Sequence, residues 1–281
     1  MIEYIIVAIL QGLFEWLPIS SSGQVMIFSL NFLGITPENA YSLSIWLHLG
    51  TTIAVIIKMR KDYIQILKSF LPKTFKSTES ERKKRNWLIY TTIGTAITAL
   101  PLYFIFRFLI LGVFSADQGD FLTLLISGLL IVTGIVILTF KKSYGKKEIE
   151  STQGKELLRD SIISGLFQGV AVLPGISRSG FTVSTILLEN YKQDQSLRLS
   201  FLMSVPVALG SIAIDIIFGE GSVFENLDLI TIVVITGVSF IVGYFSMELL
   251  LRIAQKINFS YFCIFYGIIS FLIIIPFIIV S

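Results

Sequence analysis

Hydrophobic positions along this chain come in runs rather than in alternation, and the runs have two lengths. Leu43–Lys58, Leu88–Phe106, Phe121–Phe140, Leu199–Phe218, Leu229–Leu251 and Phe259–Val280 are apolar with few interior charges. That is the pattern of helices that cross a bilayer. Four runs are shorter: Ile2–Leu17, Val25–Leu33, Ile162–Leu173 and Phe181–Leu188. At 1.5 Å per residue even the longest reaches about 24 Å, short of a hydrocarbon core roughly 30 Å thick. The short runs pair up around breaks of Pro, Ser and Gly, residues that end helices and open turns. Each pair predicts a re-entrant hairpin, two half-helices with a polar tip at membrane depth. Such a tip is tolerated when it is buried in protein or lines a wet cavity.

The two tips resemble each other. Gln11–Gly23 reads Q-G-L-F-E-W-L-P-I-S-S-S-G, and Gln168–Gly180 reads Q-G-V-A-V-L-P-G-I-S-R-S-G. Without gaps, Gln11 meets Gln168, Gly12 meets Gly169, Ser20 and Ser22 meet Ser177 and Ser179, and Gly23 meets Gly180. Only the first tip has a glutamate, Glu15, and only the second an arginine, Arg178. The order hairpin, span, span, span thus occurs twice. The expected fold is an all-α integral membrane protein of six transmembrane helices and two re-entrant helical hairpins. A first repeat covers 1–140, a basic linker 141–159 and a second repeat 160–281.

Composition agrees. Hydrophobic residues make up 54% of the 281 and charged residues 15%, with a mean hydropathy of +0.81; soluble domains carry about 25% charged residues. The single cysteine, Cys263, lies in an apolar run, which excludes disulfides and thiolate metal sites. No basic stretch precedes the first apolar run and no small-residue cleavage site follows it, so it does not read as a signal peptide.

Charge sets the orientation. Ten Lys/Arg lie between Lys58 and Arg85, six in 141–159, and four more are Lys192, Arg198, Arg252 and Lys256. With three spans per repeat these twenty fall on one face, which the positive-inside rule makes cytoplasmic. Arg107 is left opposite, beside Asp117, Asp120, Glu220, Glu225 and Asp228. The first hairpin then enters from outside and the second from inside. The repeats are inverted, and the tips face each other near the midplane, where such proteins place their binding sites.

An arginine at membrane depth is expensive and marks a functional site by default. Arg178, flanked by Ser177 and Ser179 at the start of a half-helix, suits an anion. The helix N-terminus offers free N–H groups, and the guanidinium a bidentate fork for phosphate oxygens. Ser20, Ser21 and Ser22 offer hydroxyls from the other tip. Glu15, with Gln11 one turn earlier, suits either a hard cation such as Mg²⁺ or Ca²⁺ or a base; the plainer alternative is a buried ion pair with Arg178. His48, the only histidine, reads equally as a proton carrier near the site or as an interhelical hydrogen bond. Asp215 and Glu248 sit near helix ends and are expected to snorkel to the interface.

At these residues the sequence resembles the undecaprenyl-diphosphate phosphatase family, lipid phosphatases of the bacitracin-resistance type. Family members carry [E/Q]-x-x-x-E running into L-P-x-S-S-[ST]-G, matched by Gln11, Glu15 and Leu17 to Gly23, and P-G-x-S-R-S-G, matched by Pro174 to Gly180. The resemblance extends over the whole chain in spacing, length and hydropathy. It implies hydrolysis of a polyprenyl diphosphate to the monophosphate and inorganic phosphate, recycling a lipid carrier for cell-wall or surface-glycan assembly. It further implies a plasma-membrane location, a pocket open to the outer face, dependence on a divalent cation, and a lipid rather than a nucleic-acid partner. Carried over, Glu15, Ser21 and Arg178 would be catalytic, and Glu15 and Gln11 would hold the metal. Ser20, Ser22, Ser177, Ser179, Gly180, Gln24 and His48 would contact substrate. Many members have His directly after S-S-[ST]-G, where this chain has Gln24, and a carboxamide accepts no proton at physiological pH. That leaves Glu15 or His48 to take the proton, or slow turnover, or a lipid transporter built on the same fold.

Overall fold

The computed structural model describes residues 1–17, 20–70, 78–110, 145–218 and 227–254. Pro18 and Ile19 of the first tip, the expected spans Phe121–Phe140 and Phe259–Val280, and Cys263 lie outside the described residues. In chain order the α-helices are α1 (Ile2–Phe14), α2 (Ser21–Phe32), α3 (Pro37–Lys58), α4 (Arg60–Lys68), α5 (Glu79–Ile105), α6 (Gly154–Val170), α7 (Arg178–Leu188), α8 (Gln193–Phe218) and α9 (Leu229–Ala254). A π-turn, Phe106–Ile110, continues α5. Beyond helices, the only pairing among the described residues is an isolated bridge between Lys147 and Tyr191.

Among the described residues, four helices are long and apolar enough to cross a membrane: Pro37–Lys58, Glu79–Phe108, Gln193–Phe218 and Leu229–Leu251. All four coincide with expected spans, but three begin earlier than hydropathy indicates. Thr36 caps α3 and Thr78 caps α5, the latter in a reciprocal capping box with Glu81; local hydrogen bonding therefore starts these helices in polar sequence. The basic stretch before Asn86, expected as a loop, is accordingly helical in α4 and in the first turns of α5. Likewise α6 starts at Gly154, inside the stretch read as a linker.

The two short pairs form helical hairpins, α1–α2 and α6–α7, and each packs on a long helix from the other half of the chain. α1 lies on α9, and α6 lies on α5. Both crossings are made at glycine. A Cβ on Gly12 would stand 2.8 Å from the backbone nitrogen of Gly243, and one on Gly165 would stand 2.3 Å from the carbonyl oxygen of Thr91. Small residues at such crossings let backbones approach where lipid offers no hydrophobic drive for association. Pro206 within α8 cannot donate to the Leu202 carbonyl; the Tyr63 hydroxyl of α4 donates to it instead, at 2.8 Å.

Charged side chains in the fold are paired. Asp62 of α4 accepts from Lys84 of α5 at 2.7 Å and from Arg198 of α8 at 3.1 Å. Burial alone raises its carboxyl, but the two cations outweigh that and hold it below the usual range. Asp215 is a correction to the sequence reading. It is buried rather than snorkelling, because Ser42 of α3 donates to it at 2.7 Å and Arg107 stands 3.6 Å away. Glu248 pairs with Lys58 on α3 and stays partly exposed.

At the base of the second hairpin, buried Asp160 takes Lys147 and Arg159, and Glu189 lies beside it with Ser164 donating to it at 3.1 Å. Burial, with the Asp160 charge second, pushes Glu189 from its ordinary 4.5 up to about 8. Between those values the folded chain keeps a proton that the unfolded chain has released, so stability falls as pH rises through that window. Glu189→Gln should flatten the fall. Thermal midpoints at pH about 5 and about 8.5 should differ less in the variant than in the wild type; equal differences would contradict this role.

Candidate active site between the two hairpin tips

The first hairpin turns at Glu15–Leu17 and restarts at Ser20. Ser20 takes a left-handed backbone conformation, φ 48°, which is rare for a non-glycine residue and recurs at functional sites. Its hydroxyl accepts from the N–H of Gly23, capping α2, and from the N–H of Gly175 in the opposite tip at 3.1 Å. Ser177 likewise caps α7 by accepting from the N–H of Gly180 at 3.1 Å. Ser177 and Ser179 also donate to the Leu17 carbonyl, at 3.3 and 2.7 Å. The serines expected to cradle an anion thus first of all sew the tips together. Trp16 anchors the first tip from behind, donating to the Gly243 carbonyl at 2.8 Å and meeting Phe201 edge-on at 5.3 Å.

Glu15, only 4% exposed, is the hub. One carboxylate oxygen, Oε1, takes the guanidinium of Arg178. The other, Oε2, accepts from Ser21 Oγ at 2.6 Å and from Gln11 Nε2 at 2.7 Å, and lies 3.3 Å from Nε2 of His48. His48 is fixed by its other nitrogen, Nδ1, 2.6 Å from the carbonyl of Ser44 one turn earlier on α3. A cavity opens onto this group, with Glu15, Ser20–Ser22, His48 and Ser177–Ser179 at its polar end. Apolar side chains, Ile45, Ala99, Val172, Ile176, Val207 and Ala208, share the rest of the lining with Tyr41, Ser44, Thr95, Gln168 and Ser211. Both hairpins present the N-termini of their second helices, α2 and α7, to this space, where orphan N–H groups and the helix dipole favour an anion.

Glu15, Ser20, Ser21, Ser22, His48, Ser177, Arg178 and Ser179 therefore converge as expected. Gln24, Gly180 and Gln11 are not among the residues that line the cavity. Gln24 is buried on α2 with its Nε2 lacking a hydrogen-bond partner among the described residues, and Gln11 supports Glu15 from behind. The sequence reading overlooked Gln168 and Thr95, which line the cavity together and are joined at 3.0 Å. A signal for Gln168 was present, since it is the repeat counterpart of Gln11.

The donor set argues against a resident metal at Glu15. Both oxygens are taken by hydrogen-bond donors or cations, Gln11 turns its NH₂ rather than its carbonyl to the carboxylate, and no group of three or more His, Cys, Asp or Glu suited to a metal occurs among the described residues. A hard cation needs oxygen ligands that this carboxylate, as arranged, does not leave free.

The described residues define an all-helical, multi-pass membrane protein with a polar site built where two hairpin tips meet. The family described as "Bacitracin resistance protein BacA" matches residues 4–276, and the chain belongs to it. A protein named undecaprenyl-diphosphatase from Methanothrix thermoacetophila is 37% identical, over 96% of this chain and 95% of its own length. Relatives of the same name from Methanopyrus kandleri and Methanococcoides burtonii are 34% and 37% identical, each over 96% of this chain and over 94% and 97% of their own lengths.

The geometry assigns unequal roles to neighbouring serines. Ser20→Ala should lose a helix cap and a link between the tips, costing about 1 kcal/mol or somewhat more. Ser22, whose only hydrogen-bond partner among the described residues is Ser20 at 3.4 Å, should tolerate alanine with little change. Thermal unfolding of the two variants checks this; equal midpoints would contradict it.

Proposed function

We propose that this protein hydrolyses a polyprenyl diphosphate, of the undecaprenyl class, to the monophosphate and inorganic phosphate, and so returns a lipid carrier to cell-wall or surface-glycan synthesis. The observation that carries the reading is the shared carboxylate: Ser21 Oγ and the Arg178 guanidinium both bind Glu15 at a cavity lined by hydroxyl-bearing and apolar side chains. The names of the relatives support the same chemistry, and they lend no support to the transporter alternative.

In this reading the diphosphate sits against the N-termini of α2 and α7, with Arg178 offering its fork to the terminal phosphoryl oxygens. Ser21 Oγ attacks the terminal phosphorus. A bond from Oγ to phosphorus forms, the bond to the bridging oxygen breaks, and the lipid monophosphate leaves with that electron pair. Glu15 takes the Ser21 proton. Water then attacks the phosphoserine, inorganic phosphate departs, and Ser21 regains its proton. Little covalent work falls to the protein in phosphoryl transfer; positioning and charge stabilisation supply most of the rate. With Glu15 engaged by Arg178, Ser21 and Gln11, the divalent cation of the reaction, Mg²⁺ or Ca²⁺, would enter with the substrate as the diphosphate complex.

The architecture fits an inverted pair of repeats, 1–140 and 160–281 about the linker 141–159, with six spans in all and both hairpins re-entrant. The reciprocal seating of α1 on α9 and α6 on α5 supports it. The basic face is cytoplasmic, and the cavity opens to the outer face of the plasma membrane.

Purified protein with Mg²⁺ should release phosphate from a C55-type diphosphate, and excess chelator should stop it. Arg178→Ala should lower release by about 10²–10³-fold, the loss typical when a transition-state donor is removed. Release unaffected by the substitution would remove Arg178 from the mechanism. Transbilayer movement of a labelled polyprenyl phosphate without any phosphate release would replace the hydrolase reading altogether.

A further inference from the structure

In the mechanism above the proton taken from Ser21 rests on Glu15, a carboxylate already gripped by Arg178. Where that proton goes next is set by a residue outside both hairpins. His48 stands on α3 and faces the cavity, and its ring is held at both nitrogens. Nδ1 lies 2.6 Å from the Ser44 carbonyl. A carbonyl only accepts, so Nδ1 carries the hydrogen, and in the neutral ring Nε2 is left with its lone pair. Nε2 lies 3.3 Å from Oε2 of Glu15, the same oxygen that Ser21 Oγ approaches at 2.6 Å, so beside the neutral ring two acceptors face each other with room for one proton between them. Three atoms, Ser21 Oγ, Glu15 Oε2 and His48 Nε2, therefore form a path with the carboxylate oxygen in the middle. A charged hydrogen bond spans this 3.3 Å separation once a proton arrives, and such distances often shorten when substrate binds.

Among the described residues that line the cavity, no other side chain offers an imidazole or a second carboxylate for this task. Gln24 accepts no proton and does not line the cavity. Gln168, Thr95 and Ser44 are neutral. The charged groups facing His48 are Glu15 from the first hairpin and Arg178 from the second. The other carboxylates in contact with α3 are Asp215 of α8, engaged by Ser42 and Arg107, and Glu248 of α9, engaged by Lys58.

We propose that His48 is the positioning residue that receives, through Glu15, the proton released by Ser21 and returns it when the phosphoserine is hydrolysed. This deepens the hydrolase reading and rests on it. Each half-reaction balances. In the first, the Ser21 oxygen–phosphorus bond replaces the anhydride bond, and the proton ends on Nε2, leaving Glu15 a carboxylate beside an imidazolium. In the second, water adds to phosphorus, the proton returns through Glu15 to Ser21 Oγ, and phosphate carries away both hydrogens of the water. The imidazolium appears beside Glu15 just as the products gain negative charge, so the site does not hold a neutralised carboxyl that would loosen Arg178.

His48 is the only histidine in the chain, so its imidazole can be read without ambiguity in the whole protein. The first test is the ¹⁵N spectrum of the full-length protein in bilayers. Where the ring is neutral it should show the hydrogen on Nδ1 and a bare Nε2; the reverse tautomer would overturn the proposal whatever the activity. The second is His48→Gln, which keeps a polar side chain of similar size but cannot hold a proton. Phosphate release from a C55-type diphosphate should fall about 10²-fold or more in kcat, the usual size of a general acid–base contribution. KM should stay within about threefold, since ground-state binding is untouched. A His48→Gln protein that turns over at the wild-type rate would refute the relay while leaving the hydrolase reading intact; a wild-type protein that releases no phosphate would remove both.

Discussion

A carboxylate buried among apolar helices is a severe constraint, because its charge has to be met inside the protein. Glu15 meets it with Arg178, and the two belong to different hairpins 163 residues apart in the chain. A buried pair of this kind adds little net stability over an apolar replacement, yet losing one partner strands the other at a cost of about 3–5 kcal/mol. The pair therefore acts less as glue than as a register mark. It requires α1–α2 and α6–α7 to meet tip to tip, and the hydrogen bonds from Ser20, Ser177 and Ser179 across the same junction keep to that alignment.

The rest of the architecture serves that meeting. Each tip has to be carried to one point by short helices that cannot anchor themselves in a bilayer. They do so by seating on long helices of the other half, at crossings close enough to demand glycine. With the backbones fixed there, the N-termini of α2 and α7 aim at one cavity, and α3 brings His48 and Ser44 to the side that the hairpins leave open. An anion entering this space meets two helix N-termini and a guanidinium, and its hydrophobic remainder meets the apolar side chains of the lining.

Much of this was legible in the sequence, for a physical reason: in a membrane, hydropathy and charge report position directly. Among the described residues, run lengths located four of the expected long helices and the two short helical pairs, and the paired motifs located both tips and their convergence. What hydropathy did not reveal were features set by local hydrogen bonding or by tertiary partners. The starts of α3 and α5 depend on caps at Thr36 and Thr78 within polar sequence. Asp215 looked free to reach the interface because its partners, Ser42 and Arg107, come from other helices. Motif spacing placed Gln24 beside the site, but its side chain turns into the protein. The serines read as anion ligands spend much of their capacity joining the tips, which only the backbone geometry reveals.

The account stands or falls on Glu15 and Arg178 acting as one unit across the two hairpins. A double-mutant cycle on phosphate release, with Glu15→Gln, Arg178→Gln and the combined variant, tests that directly. Residues that act together lose activity once, so the combined variant should be no slower than the worse single variant by more than about threefold. Losses that multiply would mean that the two side chains act independently, and the junction of the tips would not be the centre of the site.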